Sequence, residues 1–174
     1  MHGKNHSEDR MAKVKVLIPT GFGENCAAEA AHAFALAGAY PTIAHINDVI
    51  SGKVKLHEHH IFNWGGGFLD GDDLGSAKAG ANRLVLARVQ GGGTLQDELM
   101  RFKFEGKLIG GECNGFQLWA KSGLLPGLSE KQDVTLCANA SGKFEDRWVK
   151  LIGDTKSPCI WTKGIKSLFL PVRH

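Results

Sequence analysis

The sequence predicts an α/β layer fold on a mainly parallel sheet, and two observations carry that expectation. Short apolar, β-branched runs alternate with longer segments whose apolar residues recur every three or four positions. Three of the runs end in glycine-rich turns, TGFGEN, GGGFLDGD and GGECNGF, and ligands of such sheets gather at the carboxyl ends of the strands. If those strands are parallel neighbours, the three loops converge on one crevice.

The elements follow in order. KVKVLIPTG, residues 13 to 21, reads as the first strand. ENCAAEAAHAFALAGA is alanine-rich with a glycine near its end, and predicts a helix. YPTIAHI is the second strand, and HIFNWGGGF the third, running into glycines. Residues 71 to 104 carry helical patterns, TLQDELMRFKFEG among them, and LIGGEC returns to strand before a helix that begins at Asn114. Beyond Gly123, DVTLCANA, RWVKLIG and SLFLPVR read as further strands in an antiparallel extension. The start, MHGKNHSEDR, is charged and lacks an apolar core, so residues 1–12 are expected to form a disordered tail and 13–174 one domain.

Bulk properties exclude several classes. A chain of 174 residues, 43% hydrophobic and 22% charged, has the composition of one globular domain. A net charge of +3 from scattered basic residues gives no reason to expect a nucleic-acid partner. No apolar stretch approaches the roughly 20 residues of a membrane span. Cys26, Cys113, Cys137 and Cys159 are widely spaced, with no C-x-x-C pair. Neither a zinc knuckle nor a disulfide framework is suggested, and reduced thiols in a cytoplasmic protein are expected.

The chemistry concentrates in LIGGECNGFQLWAKSG, residues 108 to 123. Gly111 and Gly115 stand two residues either side of Cys113, where glycine removes clashes across a tight strand-to-helix turn. The following helix aims its free N–H groups and positive dipole end at the sulfur, which favours a nucleophilic thiolate. The N–H of Asn114 and one from the Gly65–Gly66–Gly67 loop would serve as oxyanion donors. The alternative is a small apolar core residue after a strand, the fate of most free cysteines.

GGECNGFQLWAKSGLLPG resembles the G-x-C-N-G-F-Q…GLLPG motif of the glutamine amidotransferase subunit of phosphoribosylformylglycinamidine synthase. GFGENCAAEAAHAFALAGA is similar to that family's first loop and helix, and GGFLDGD to its GGFSYGD oxyanion loop. KFEDRWVKL and LPVRH are similar to its F-x-x-R-W-V and P-V-x-H segments. The matches run in order from about residue 13 to 174. The resemblance implies a flavodoxin-like, three-layer class I glutamine amidotransferase fold. It also implies a Cys113 nucleophile that forms a glutamyl thioester, with ammonia delivered to formylglycinamide ribonucleotide amidation in purine biosynthesis. Carried over by motif, Gly67 and Asn114 offer oxyanion N–H groups, Gln117 lines the glutamine pocket, and His174 lies near bound glutamine. The implied partner is a large synthetase subunit holding ATP and magnesium, with a small accessory subunit as a further candidate; no cofactor or metal is expected on this chain.

Departures accompany the resemblance. The family's base and orienting acid form a His-x-Glu pair beyond the P-V-x-H segment, and the sequence ends at His174, so a C-terminally incomplete domain with little turnover of its own is expected. Gly65 stands where the family usually has proline, Leu69-Asp70 where it has Ser-Tyr, and Glu112 where a small apolar residue is usual. Strand alternation should aim Glu112 away from the thiol. HEHH, residues 57 to 60, lacks a placed third ligand and reads as a solvated loop rather than a metal site. Cys26, at a helix start, is a second candidate for reactivity, set against simple packing. The four tryptophans read as core or interface, and GFGEN lacks the Lys and Ser/Thr of a P-loop. Two other functions remain open: a Cys-dependent hydrolase or chaperone-like protein on the same fold, or a non-catalytic docking module.

Overall fold

A computed structural model describes residues 13–126 and 131–174; the tail expected over residues 1–12 lies outside the described residues. The chain forms two compact units, the first running to Leu136 and the second spanning Cys137–His174.

In the first unit four strands form a parallel sheet in the order β2–β1–β3–β4: β1 (Lys15–Thr20), β2 (Tyr40–His45), β3 (Ile61–Trp64) and β4 (Leu108–Gly111). Side chains alternate across a strand, and the two faces carry separate cores. Val16, Ile18 and Ile61 pack under α1 (Ala27–Leu36), which meets them with Ala27, Ala30, Ala31 and Phe34, an i, i+3, i+4, i+7 stripe. Leu17, Phe62 and Trp64 belong to the other face. There they join Leu84 of α3 (Lys78–Leu86), Leu99 and Phe102 of α4 (Leu95–Phe104), and Leu118 and Trp119 of α5 (Asn114–Ser122). The result is helix, sheet, helix: three layers. Phe62, Phe102 and Leu17 are wholly buried, each worth roughly 1.5–3 kcal/mol of burial.

Helix ends follow local chemistry. Thr94 and Asp97 form a reciprocal capping box at the start of α4, and α5 stops at Gly123, whose φ is 83°. A short helix, α2 (Ile46–Ile50), was not expected. His45 starts it by accepting the Asn47 N–H at 3.1 Å, and Ile46 and Val49 are buried beneath it.

The second unit is a two-stranded antiparallel sheet of β5 (Asp146–Ile152) and β6 (Ser167–Arg173), paired from Asp146 with Arg173 to Ile152 with Ser167. Trp148 stacks on Phe169, ring centroids 5.3 Å apart. DVTLCANA, expected as a strand, is irregular along its length. Its alternating pattern found no ladder among the described residues, and a strand exists only where a partner supplies its hydrogen bonds.

Candidate active site

Cys113 sits between β4 and α5 at φ 52°, ψ −111°. A side chain at positive φ outside helix or strand costs about 1–3 kcal/mol and persists only where its surroundings impose it. Here the imposition is steric. A Cβ on Gly115 would lie 2.1 Å from the Trp64 carbonyl oxygen, and one on Gly111 would lie 2.4 Å from the Trp119 indole nitrogen. The first turn of α5 therefore rests directly on the tips of β3 and β4, and the Trp119 N–H donates to the Gly110 carbonyl at 2.8 Å. The chain has no room to climb gradually from strand to helix, and the thiol is left exposed on the turn.

A second loop closes on it. The Phe68 N–H donates to the Gly23 carbonyl at 2.7 Å, the Asn25 N–H to Gly66 at 3.1 Å, and the Asp70 N–H to Phe22 at 2.8 Å. These bonds join the loop after β1 to the glycine loop after β3. Gly67 has φ 152°, and a Cβ there would strike the Gly23 carbonyl at 2.3 Å; only glycine takes this geometry. Gly66 faces the thiol, its would-be Cβ position 3.6 Å from the Cys113 sulfur. The three glycine-marked strand ends thus meet at one place.

Asn114 is buried and is the staple of the site. Its Oδ1 accepts the Leu69 N–H at 2.9 Å, while its Nδ2 donates to Asp72 at 3.1 Å and to Gln117 Oε1 at 2.9 Å. Asp72 also accepts the Ala77 N–H at 2.7 Å, and Arg83 pairs with Asp70. Asp70 and Asp72 hold φ of 55° and 54°, so these contacts offset a strained turn. Sequence reasoning used only the backbone of Asn114 and missed Asp72; the acid lay in plain view in FLDGDD, but nothing local says which acid faces an amide. The Leu69-Asp70 departure is explained by the same turn. Leu69 fills the core and Asp70 answers Arg83.

Other expectations meet specific outcomes. Glu112 is exposed, and its carboxylate accepts the Asn63 amide at 3.0 Å. Cys26 does stand at the N-terminus of α1, and burial, then Glu29 and Glu24, push its thiol up. The HEHH run is not a solvated loop. His57 lies in a 3₁₀ turn, Leu56–Glu58, with Nε2 2.8 Å from Glu98 and Nδ1 2.9 Å from Glu105. His59 is buried, its Nδ1 3.0 Å from the Lys55 carbonyl, and His60 accepts the Lys15 N–H at 2.9 Å. Among the described residues no three His, Cys, Asp or Glu side chains are grouped to hold a metal ion, and no helix is long and apolar enough to cross a membrane. His174 belongs to the second unit, where its Nδ1 lies 3.0 Å from Asn139 Oδ1. Trp64 and Trp119 are buried in the first unit, whereas Trp148 and Trp161 are exposed in the second.

A strand-tip cysteine of this geometry occurs in several enzyme classes, and the comparison with known families decides between them. The profile of the CobB/CobQ-like glutamine amidotransferase domain matches residues 13–174. The chain belongs to this glutamine amidotransferase family. Among similar proteins, phosphoribosylformylglycinamidine synthase subunit PurQ of Dehalococcoides mccartyi is 42% identical over 165 residues, covering 94% of this chain and 62% of that protein. The subunit of the same name from Methanococcus maripaludis is 42% identical over 163 residues, covering 92% and 57%. The glutamine amidotransferase chain described here thus spans about 60% of the length of these relatives. A solved structure, that of PurLQS from Thermotoga maritima, superposes with a TM-score of 0.69 at 26% identity, over 93% of this chain and 66% of the other. The class I glutamine amidotransferase fold implied by the resemblance is therefore the fold observed.

Proposed function

We propose that this chain is the glutaminase part of a phosphoribosylformylglycinamidine synthase. The Cys113 sulfur attacks the side-chain carboxamide carbon of glutamine, and the tetrahedral intermediate collapses to release ammonia and leave a glutamyl thioester. Water then adds to the thioester carbonyl, freeing glutamate and the thiol. In this reading the N–H groups of Asn114 and of the Gly66–Gly67 loop stabilise the oxyanion, Gln117 lines the glutamine pocket, and His174 lies near bound glutamine. Ammonia passes to a large synthetase subunit that holds ATP and magnesium, in a cytoplasmic assembly that includes a small accessory subunit. Residues 13–174 act as one glutaminase domain.

The observation that carries the reading is the backbone of Cys113, held at positive φ by the packing of Gly111 and Gly115, with the glycine loop against it. The name borne by the curated relatives supplies the pathway. Incubation with 6-diazo-5-oxo-L-norleucine, an electrophilic glutamine analogue, tests the nucleophile and the pocket without requiring turnover. Peptide mass spectrometry should place the adduct on Cys113, and excess glutamine should protect it. Labelling on Cys26, Cys137 or Cys159 instead, or labelling that glutamine does not suppress, would refute the assignment.

A further inference from the structure

Cys113 does not stand alone. Gly66 lies between it and Cys26: the position a Cβ would take on Gly66 is 3.4 Å from the Cys26 sulfur and 3.6 Å from the Cys113 sulfur. Both thiols therefore lie against the same face of Gly66, and their sulfurs are within about 7 Å of one another. The two side chains reach this face from opposite loops. Cys26 ends the loop after β1, and its N–H is fixed by the Glu24 carboxylate at 2.8 Å. Cys113 ends the loop after β4 and is the exposed member of the pair, while Cys26 is half-buried behind it.

We propose that Cys26 and Cys113 form a peroxide-responsive thiol pair, a modification site in which oxidation locks the exposed cysteine into a disulfide. The pairing is read from the approach of both sulfurs to Gly66, which carries no side chain to separate them. It rests on the proposed glutaminase function only in its consequence, which is that the nucleophile is withdrawn while the disulfide persists. In the first step the Cys113 thiolate attacks one oxygen of hydrogen peroxide, the O–O bond breaks, and Cys113 becomes a sulfenic acid as hydroxide takes up a proton to leave as water. In the second the Cys26 sulfur loses its proton and attacks the Cys113 sulfur, displacing hydroxide, which departs as a second water. Two thiols and one peroxide yield one disulfide and two waters.

The geometry assigns the order of events. The exposed thiol at the N-terminus of α5 meets the oxidant first, and the half-buried thiol resolves the product. A disulfide needs sulfurs 2.03–2.05 Å apart, so rotation about the Cα–Cβ bonds must bring both into the space over Gly66. Any side chain at position 66 would occupy that space. Had Cys26 no such access, a sulfenic acid on Cys113 would proceed to irreversible sulfinic and sulfonic acids.

The test measures thiols directly, so its outcome does not depend on glutaminase activity. The 174-residue chain is treated with a modest excess of hydrogen peroxide, blocked with N-ethylmaleimide and digested with trypsin without reduction. Cleavage at Lys15, Lys53, Lys107 and Lys121 places Cys26 and Cys113 on separate peptides, residues 16–53 and 108–121. The expected result is a linked pair of these peptides that dithiothreitol separates, and Cys26→Ser should lower the dithiothreitol-recoverable fraction of Cys113 by roughly fivefold or more as overoxidation takes over. Links to Cys137 or Cys159, Cys113 found only as sulfinic or sulfonic acid, or equal recovery in wild type and Cys26→Ser would each overturn the proposal. Glutamine-protectable analogue labelling of the reduced protein, measured in parallel, reports separately on the proposed function.

Discussion

Gly115→Ala sets helix propensity against packing at a single atom. Alanine is favoured over glycine inside a helix by about 1 kcal/mol, and less so this close to the start of α5. The added methyl, however, would sit 2.1 Å from the Trp64 carbonyl oxygen, with the Trp64 carbonyl carbon at 2.9 Å and the Gly65 oxygen at 3.2 Å. These are backbone atoms and cannot rotate away. The helix must retreat by roughly 1 Å to restore ordinary contact, and overpacking of this kind costs about 1–3 kcal/mol. The retreat also disturbs the Trp64 carbonyl that accepts the Glu112 N–H at 3.2 Å, the bond that extends the β3–β4 pairing to the turn. Packing wins, and a net loss of about 1–3 kcal/mol is expected. The urea midpoint should fall, and glutamine-analogue labelling of Cys113 should slow by up to about 100-fold, since a displacement of this size is enough to spoil attack geometry. A midpoint equal to or above wild type, with labelling unchanged, would show that α5 is not pressed onto the strand tips and that Cys113 owes its backbone to something else.

Two other perturbations separate the supports of the site from the rest of the fold. Asn114→Asp keeps the oxygen that accepts the Leu69 N–H but sets a carboxylate against Asp72, 3.1 Å from the present amide nitrogen. Like charges raise the folded-state pKa of such a pair. The variant should therefore approach wild-type stability below about pH 4 and lose roughly 1–3 kcal/mol as pH rises through that raised value; a deficit independent of pH, read from denaturation midpoints, would contradict this. Away from the site, hydrogen bonds from Lys107 and then His57 hold the Glu105 carboxyl down at about 2, against 4.5 when unperturbed. Its folded pKa is depressed, so its contribution is present above pH 4.5 and is lost as pH falls toward 2. Glu105→Gln should lower the midpoint at pH 6 and converge on wild type near pH 2, and parallel pH curves for the two proteins would refute the contact.

The parallel sheet and its major helices were legible because their signals are local. Apolar periodicity over KVKVLIPTG and the alanine-rich helix, and glycines at strand ends, need no knowledge of distant residues. The turn at Cys113 was legible for the same reason: G-x-C-x-G encodes a backbone demand within five residues. What escaped the sequence was pairing at long range. Asn114 and Asp72 are 42 positions apart, and His57 meets Glu98 and Glu105 from 41 and 48 away; their identities are ordinary, and only the fold makes them partners. DVTLCANA failed in the opposite direction, carrying a strand pattern with no ladder to join. The joint departure at Gly65 also became intelligible only in three dimensions. A Cβ at 65 would stand 2.7 Å from the Glu24 carboxylate oxygen that accepts the Cys26 N–H, so the acid crowds any side chain there.

The aromatic pair beneath the Cys113 turn gives the protein an optical readout of its own. Trp64 and Trp119 cross edge to face with ring centroids 6.1 Å apart, both shielded from solvent, and Phe62 packs against each. Indoles so close in a rigid apolar setting emit at shorter wavelength than hydrated ones and couple in near-ultraviolet circular dichroism. Trp148 and Trp161, both solvent-exposed, contribute at the red edge. Red-edge excitation therefore reports on the hairpin unit, while the blue side of the spectrum follows the indole whose N–H grips Gly110, three residues before the thiol. A ligand or oxidant that shifts the Cys113 turn announces itself in the blue band, with no label attached.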